Sequence, residues 1–178
     1  MRARNTGARP GMNGRTTAEG TPTRAGKRPR SVEVAVDFSP KPAGLGRLSR
    51  FCGRALAAAG FSAWSVEVLL CGDERIAALN LRYRGKPQAT DVLSFPREDG
   101  RRDDPVTGDI AISLETLRRN ALRFGATENE EMKRLLVHGL LHLAGMDHGR
   151  GKSGAMLALQ ARLLDGLGSD VIYGEAPQ

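Results

Sequence analysis

The segment Thr127–Gly145, "TENEEMKRLLVHGLLHLAG", constrains the fold more than any other stretch. Thr127 followed three residues later by Glu130 is a capping box, which opens a helix by satisfying backbone N–H groups of its first turn. Gly145 can take the left-handed conformation that ends one. The Leu-rich run between them predicts a long helix to about Leu143, covered by other elements. His138 and His142 lie four apart and so share one face of that helix. Two imidazoles on a buried helix face are costly unless something satisfies them.

His148 follows three residues after Gly145, and these are all three histidines of the 178-residue chain. A turn at Gly145 can bring His148 back toward the other two. Three converging neutral imidazoles are the ligand set of a catalytic zinc, with one position left open for water or substrate. The same donors also accept nickel, copper or another divalent metal.

The remaining chain alternates strand-like and helix-like patterns from Ser31 onward. "SVEVAVDF" (31–38) alternates Val with polar or small residues and reads as a strand. A helix is expected over about 45–59, with Gly60 as its stop. "SAWSVEVLLC" (62–71) reads as a second strand, and Asp73 as the N-cap of a short helix to about Leu81. A Gly/Pro loop from Tyr83 leads into a short strand near Asp91–Phe95. A polar loop (97–108), a strand at 109–113 and a helix over about Leu114–Phe124 come next. After the capped helix, "AMLALQARLLDGLG" (155–168) reads as a last helix. This order predicts a single α/β domain: a small mixed four-stranded sheet with helices packed on it, and a zinc site at the end of the central helix.

Charge divides the chain. It carries 27 basic and 20 acidic residues, yet residues 1–30 hold eight of the basic ones and a single acid, Glu19. The rest is balanced, so the basicity belongs to a Gly-, Thr-, Pro- and Arg-rich tail that cannot support a core. The expected organisation is a basic tail (1–30), a folded domain (31–170) and a C-terminal tail (171–178). No apolar run approaches the roughly 20 residues of a membrane span. Cys52 and Cys71 make no disulfide framework or zinc knuckle and read as buried thiols of a reducing compartment. Location in the cytoplasm, or in an organelle, is the expectation.

The spacing H-x-x-x-H-x-x-G-x-x-H is also that of metzincin proteases, which place Glu directly after the first histidine as general base. Here that residue is Gly139, so peptide hydrolysis lacks its base.

"HGLLHLAGMDH" (138–148) resembles the H-G-x-L-H-L-x-G-x-D-H signature of the YbeY family of metal-dependent endoribonucleases, which act in ribosomal RNA maturation. "LNLRYRGKPQATDVLSFP" (79–96) resembles a second family motif and "GDIAIS" (108–113) a third. The resemblance covers roughly Ser31 to Gly168. It implies a zinc-dependent, single-strand-directed endoribonuclease of ribosomal RNA 3′-end maturation and ribosome quality control. Its partners would be ribosomal RNA or the small ribosomal subunit and ribosome-associated proteins, with no membrane. It makes Arg84 the arginine associated with activity, and a guanidinium matches phosphate oxygens bidentately. The chain departs from the family in "GRGKSG" (149–154), where an acidic stretch is usual. It departs also in Gln160, where Glu is common, and in Met146, where Tyr is usual.

Asp147, Asp91 and Asp109 are candidates for the general base or for orienting a ligand imidazole. Ser94 is a weaker candidate, because no histidine would be free to activate it. Arg82 and Lys86, with Arg150 and Lys152, are candidates for RNA contact, a modest patch suited to backbone recognition. Two other readings share the metal site: a ribosome-assembly factor with a structural metal, and a hydrolase acting on a small substrate.

Overall fold

The computed structural model describes residues 29–97, 105–147 and 153–174. Its elements run β1 (Arg30–Asp37), α1 (Leu45–Ala58), β2 (Trp64–Cys71), α2 (Asp73–Arg84), β3 (Val92–Pro96), β4 (Val106–Ser113), α3 (Leu114–Phe124), α4 (Glu128–Leu143) and α5 (Ser153–Gly166). The sheet order is β1-β2-β4-β3. β1, β2 and β4 are mutually parallel, and β3 runs antiparallel along β4 as an edge strand. The expected single α/β domain with a mixed four-stranded sheet is what the chain forms.

Two layers cover the sheet. α1 buries Leu48, Phe51, Cys52, Ala55 and Leu56, the spacing of one helical face. Together with α4 it fills the main core against Val66, Val68, Ile110 and Ile112. α2 covers part of the opposite face, where Ile76 and Leu79 meet Cys71, Leu93 and Ala111. Strand alternation thus sends Ile110 toward α4 and its neighbours Asp109 and Ala111 the other way.

Two glycines set how closely α4 lies on the sheet. A Cβ at Gly139 would come within 2.9 Å of Ile110 Cδ1, so the helix can rest on β4 only with no side chain there. The protease base has no room at this position. Gly108 has φ 148°, and a Cβ would strike the Phe95 carbonyl and come within 2.8 Å of Leu143 Cδ2. The ends of β3 and α4 are thereby drawn together beside β4.

Four expectations from the sequence change. Asp73 does not cap α2, whose N-cap is Gly72. Instead its carboxylate accepts from Ser113 and Thr116 and pairs with Arg119 at 2.7 Å, tying α2 to α3. α2 continues to Arg84 before Gly85 ends it, so Tyr83 and Arg84 are helical. β4 starts at Val106, because Val106–Gly108 pair with Trp64–Val66 of β2. The folded chain also runs past residue 170. Ile172 and Tyr173 are buried, and Asn129 Oδ1 accepts both of their backbone N–H groups, at 2.8 and 3.1 Å. Residues 1–28 of the expected tail lie outside the described residues.

Cys52 and Cys71 are free and buried. Burial pushes their thiols up to about 12 and about 11 respectively, so neither offers a thiolate at neutral pH.

Candidate active site

From Glu131 to Leu143 every residue of α4 is buried except Arg134, His138 and His142. These stand at i, i+4 and i+8, a single stripe that the surrounding helices and sheet leave open. At its N-terminal end Arg134 is held by two carboxylates. Its guanidinium donates to both oxygens of Glu131 at 2.7 Å and to Asp91 Oδ2 at 3.1 Å. Asp91 Oδ1 in turn accepts from the Val92 backbone at 2.9 Å and from the Thr90 hydroxyl at 3.2 Å.

The histidines differ. Their Nε2 atoms face each other at 3.2 Å, with ring planes 78° apart. Two ligand nitrogens on a tetrahedral zinc, each about 2.0–2.1 Å from the metal, lie roughly 3.3 Å apart. The pair therefore fits a shared cation without rearrangement of the helix. His138 Nδ1 lies 3.0 Å from Oε1 of Gln160 on α5.

α4 then ends in a Schellman motif. Gly145, at φ 74°, donates to the His142 carbonyl, and Met146 N–H donates to that of Leu141, both at 3.0 Å. The chain turns back here, bringing Met146 and Asp147 to the same cleft as the histidines. His148 lies outside the described residues, and among the described residues no cluster of three or more His, Cys, Asp or Glu is formed.

The cleft has a volume of about 620 Å³, and its polar lining comprises Arg84, Ser94, His138, His142 and Asp147. Ser94 reaches it because it pairs with Ile110 in the β3–β4 ladder and so shares the face that meets α4. Arg84 arrives from the last turn of α2, which Gly85 ends at φ 67°. Its guanidinium is exposed and makes no hydrogen bond or ion pair with any described residue.

The structure therefore brings together Arg84, His138, His142 and Asp147, and sets two candidates aside. Asp91 is taken up by Arg134 and the start of β3. Asp109 points from the opposite sheet face, because Ile110 beside it packs on Gly139. There it pairs with Arg97 at 2.6 Å, which also binds Glu67 at 2.9 Å. Neither carboxylate lines the cleft. Arg82 lies over the Tyr83 ring at 5.3 Å from its centroid, and Lys86 is exposed just past the helix cap. Arg150 and Lys152 lie outside the described residues. Gln160, marked in the sequence only as a departure from a family pattern, proves to be a partner of His138. No spacing within one segment could show this, since 22 residues separate the two.

Comparison with known proteins identifies the family. The family model described as "Endoribonuclease YbeY" matches residues 48–168. An endoribonuclease YbeY from Treponema pallidum (strain Nichols) is 41% identical over 139 residues, covering 75% of this chain and 87% of that protein. The endoribonuclease YbeY of Rhizobium meliloti (strain 1021) is 38% identical over 163 residues, covering 83% and 94%. The solution structure of a Thermotoga maritima protein shares the fold, with a TM-score of 0.57 at 23% identity, over 77% of this chain and 89% of that one. With three motifs in order, a matching fold and relatives along most of its length, the chain belongs to the endoribonuclease YbeY family.

Proposed function

We propose that this protein is a zinc-dependent, single-strand-directed endoribonuclease acting in ribosomal RNA 3′-end maturation and ribosome quality control. The observation that carries this reading is one cleft holding two imidazoles with Nε2 atoms 3.2 Å apart beside a guanidinium that no described residue pairs with. Imidazole donors so spaced suit a cation, and a guanidinium suits a phosphate. A phosphodiester brought to a metal needs both.

His138 and His142 would hold the ion, with His148 as the third ligand. A zinc ion held there would supply Lewis-acid chemistry for a phosphodiester and activate water for attack. Arg84 binds the non-bridging phosphate oxygens and neutralises charge that builds up during cleavage. The Ser94 hydroxyl, which also lines the cleft, would donate to the same phosphate. Asp147 is the one carboxylate among the described lining residues, so it is the group there able to accept a proton or orient a ligand.

Arg82 and Lys86, exposed on either side of Arg84, suit an RNA backbone better than base edges. Discrimination among RNAs then rests on shape, and on ribosomal RNA or the small subunit presenting the strand. The test is cleavage of structured ribosomal RNA by metal-free protein, with and without added zinc. Cleavage that returns with about one equivalent of metal supports the proposal. Full cleavage in excess chelator sinks it.

A further inference from the structure

We infer that Gln160 is the positioning residue of His138: its amide oxygen accepts the Nδ1 proton and thereby keeps Nε2 as the lone-pair nitrogen facing the cleft. The inference rests on the metal reading only in calling that nitrogen a ligand; the tautomer itself is a property of the metal-free chain.

The geometry requires a choice. Gln160 Oε1 lies 3.0 Å from His138 Nδ1, and His138 Nε2 lies 3.2 Å from His142 Nε2. An amide oxygen only accepts, so the nitrogen facing it carries the proton. The opposite amide orientation would give His138 an Nε2 proton aimed into the cleft, closing that nitrogen to any cation. Gln160 is half-buried on α5, which packs along α4, so its side chain reaches His138 from a helix rather than a loop. Such an outer partner fixes ring orientation as well as tautomer.

A glutamine does this without charge. A carboxylate at the same place would make the imidazole a stronger donor and add a negative charge beside a cleft meant for phosphate. On the described surface Arg84 and Asp147 are the charged groups that line the cleft, and Gln160 leaves that balance untouched. Gln160→Glu should therefore hold zinc at least as tightly as the parent while raising the KM for RNA. Gln160→Leu, similar in size, removes the acceptor.

The experiment uses the full-length, metal-free chain with 15N-labelled histidine and long-range 1H–15N correlation spectra. With three histidines in the chain, a His142→Ala spectrum and a His148→Ala spectrum complete the assignment. Wild type and Gln160→Glu should show His138 protonated on Nδ1, and Gln160→Leu should shift it toward the Nε2-protonated form that free imidazoles prefer. Zinc affinity, read by competition with a chromophoric chelator and without RNA, should fall roughly 10- to 100-fold in Gln160→Leu and be retained in Gln160→Glu. A wild-type His138 protonated on Nε2 would overturn the inference, as would a Gln160→Leu protein with unchanged tautomer and zinc affinity. Wild-type protein that binds no zinc would instead overturn the metal reading, while the tautomer still decides what Gln160 does.

Discussion

Arg134 and His142 stand two turns apart on the same open stripe of α4, and they are satisfied in opposite ways. Arg134 meets two carboxylates, one of them in Glu131, whose side chain is only 3% exposed. The histidines face each other across 3.2 Å, with a neutral amide behind one of them. One end of the stripe is therefore closed electrostatically and serves stability. The other brings two imidazole nitrogens together at the cleft, where Arg84 makes no ion pair with any described residue. A polar group on an otherwise buried helix is informative through the chemistry of its partners: a guanidinium held by two carboxylates is neutralised, whereas neighbouring imidazoles present nitrogen donors.

Breaking the open end should cost activity and little stability. His142→Ala should lose both zinc and RNA cleavage, with metal content falling from about one equivalent to near zero while the circular dichroism spectrum is retained. Arg84→Glu should keep the metal and the fold yet reduce cleavage by at least 100-fold or so, the scale of removing one group that stabilises developing charge. Full activity in that variant would refute the role given to Arg84.

Breaking the closed end should do the reverse. Arg134→Ala leaves the Glu131 carboxylate buried without its counter-charge, and a loss of roughly 3 kcal/mol is expected in urea unfolding. Zinc affinity should stay within about twofold. Gly139→Ala sharpens the same contrast from the packing side. Its methyl would press on Ile110, so overpacking of about 1–3 kcal/mol is expected.

The smallest effect concerns acid. Burial alone would raise the Asp73 carboxyl, but hydrogen bonds from Ser113, Thr116 and Arg119 outweigh it and hold the group below its ordinary 3.8. Stability from a depressed carboxylate is present above the unfolded pKa and is lost as pH falls through the folded one. Asp73→Asn should thus be less stable at pH 7, by about 1–2 kcal/mol, and lose less on acidification below about pH 4. Urea midpoints measured across that range decide it.

Much of this was legible in the sequence for local reasons. The α4 boundaries follow from a capping box and a Schellman glycine, both written within a few neighbouring residues. α3 falls on Leu114–Phe124 as its apolar spacing and Gly125 indicate. Pairs distant in the chain were not legible. Strand β4 begins at Val106 because Val106–Gly108 pair with β2, and no property of a polar loop announces that. Asp109 and Ile110 are adjacent letters, yet which of them meets α4 is decided by Gly139 on another element. Ile172 and Tyr173 enter the core through Asn129, more than 40 positions away. Gln160 is the case with most consequence, since its meaning depends on α5 lying along α4.

The most direct test of the open-stripe account is zinc titration into the metal-free protein, following metal content and ribosomal RNA cleavage in the same samples. The account predicts that cleavage rises in proportion to bound zinc and saturates near one equivalent per chain, with His142→Ala flat throughout. Cleavage that is complete before any metal binds, or a His142→Ala protein that responds as the parent does, would contradict it.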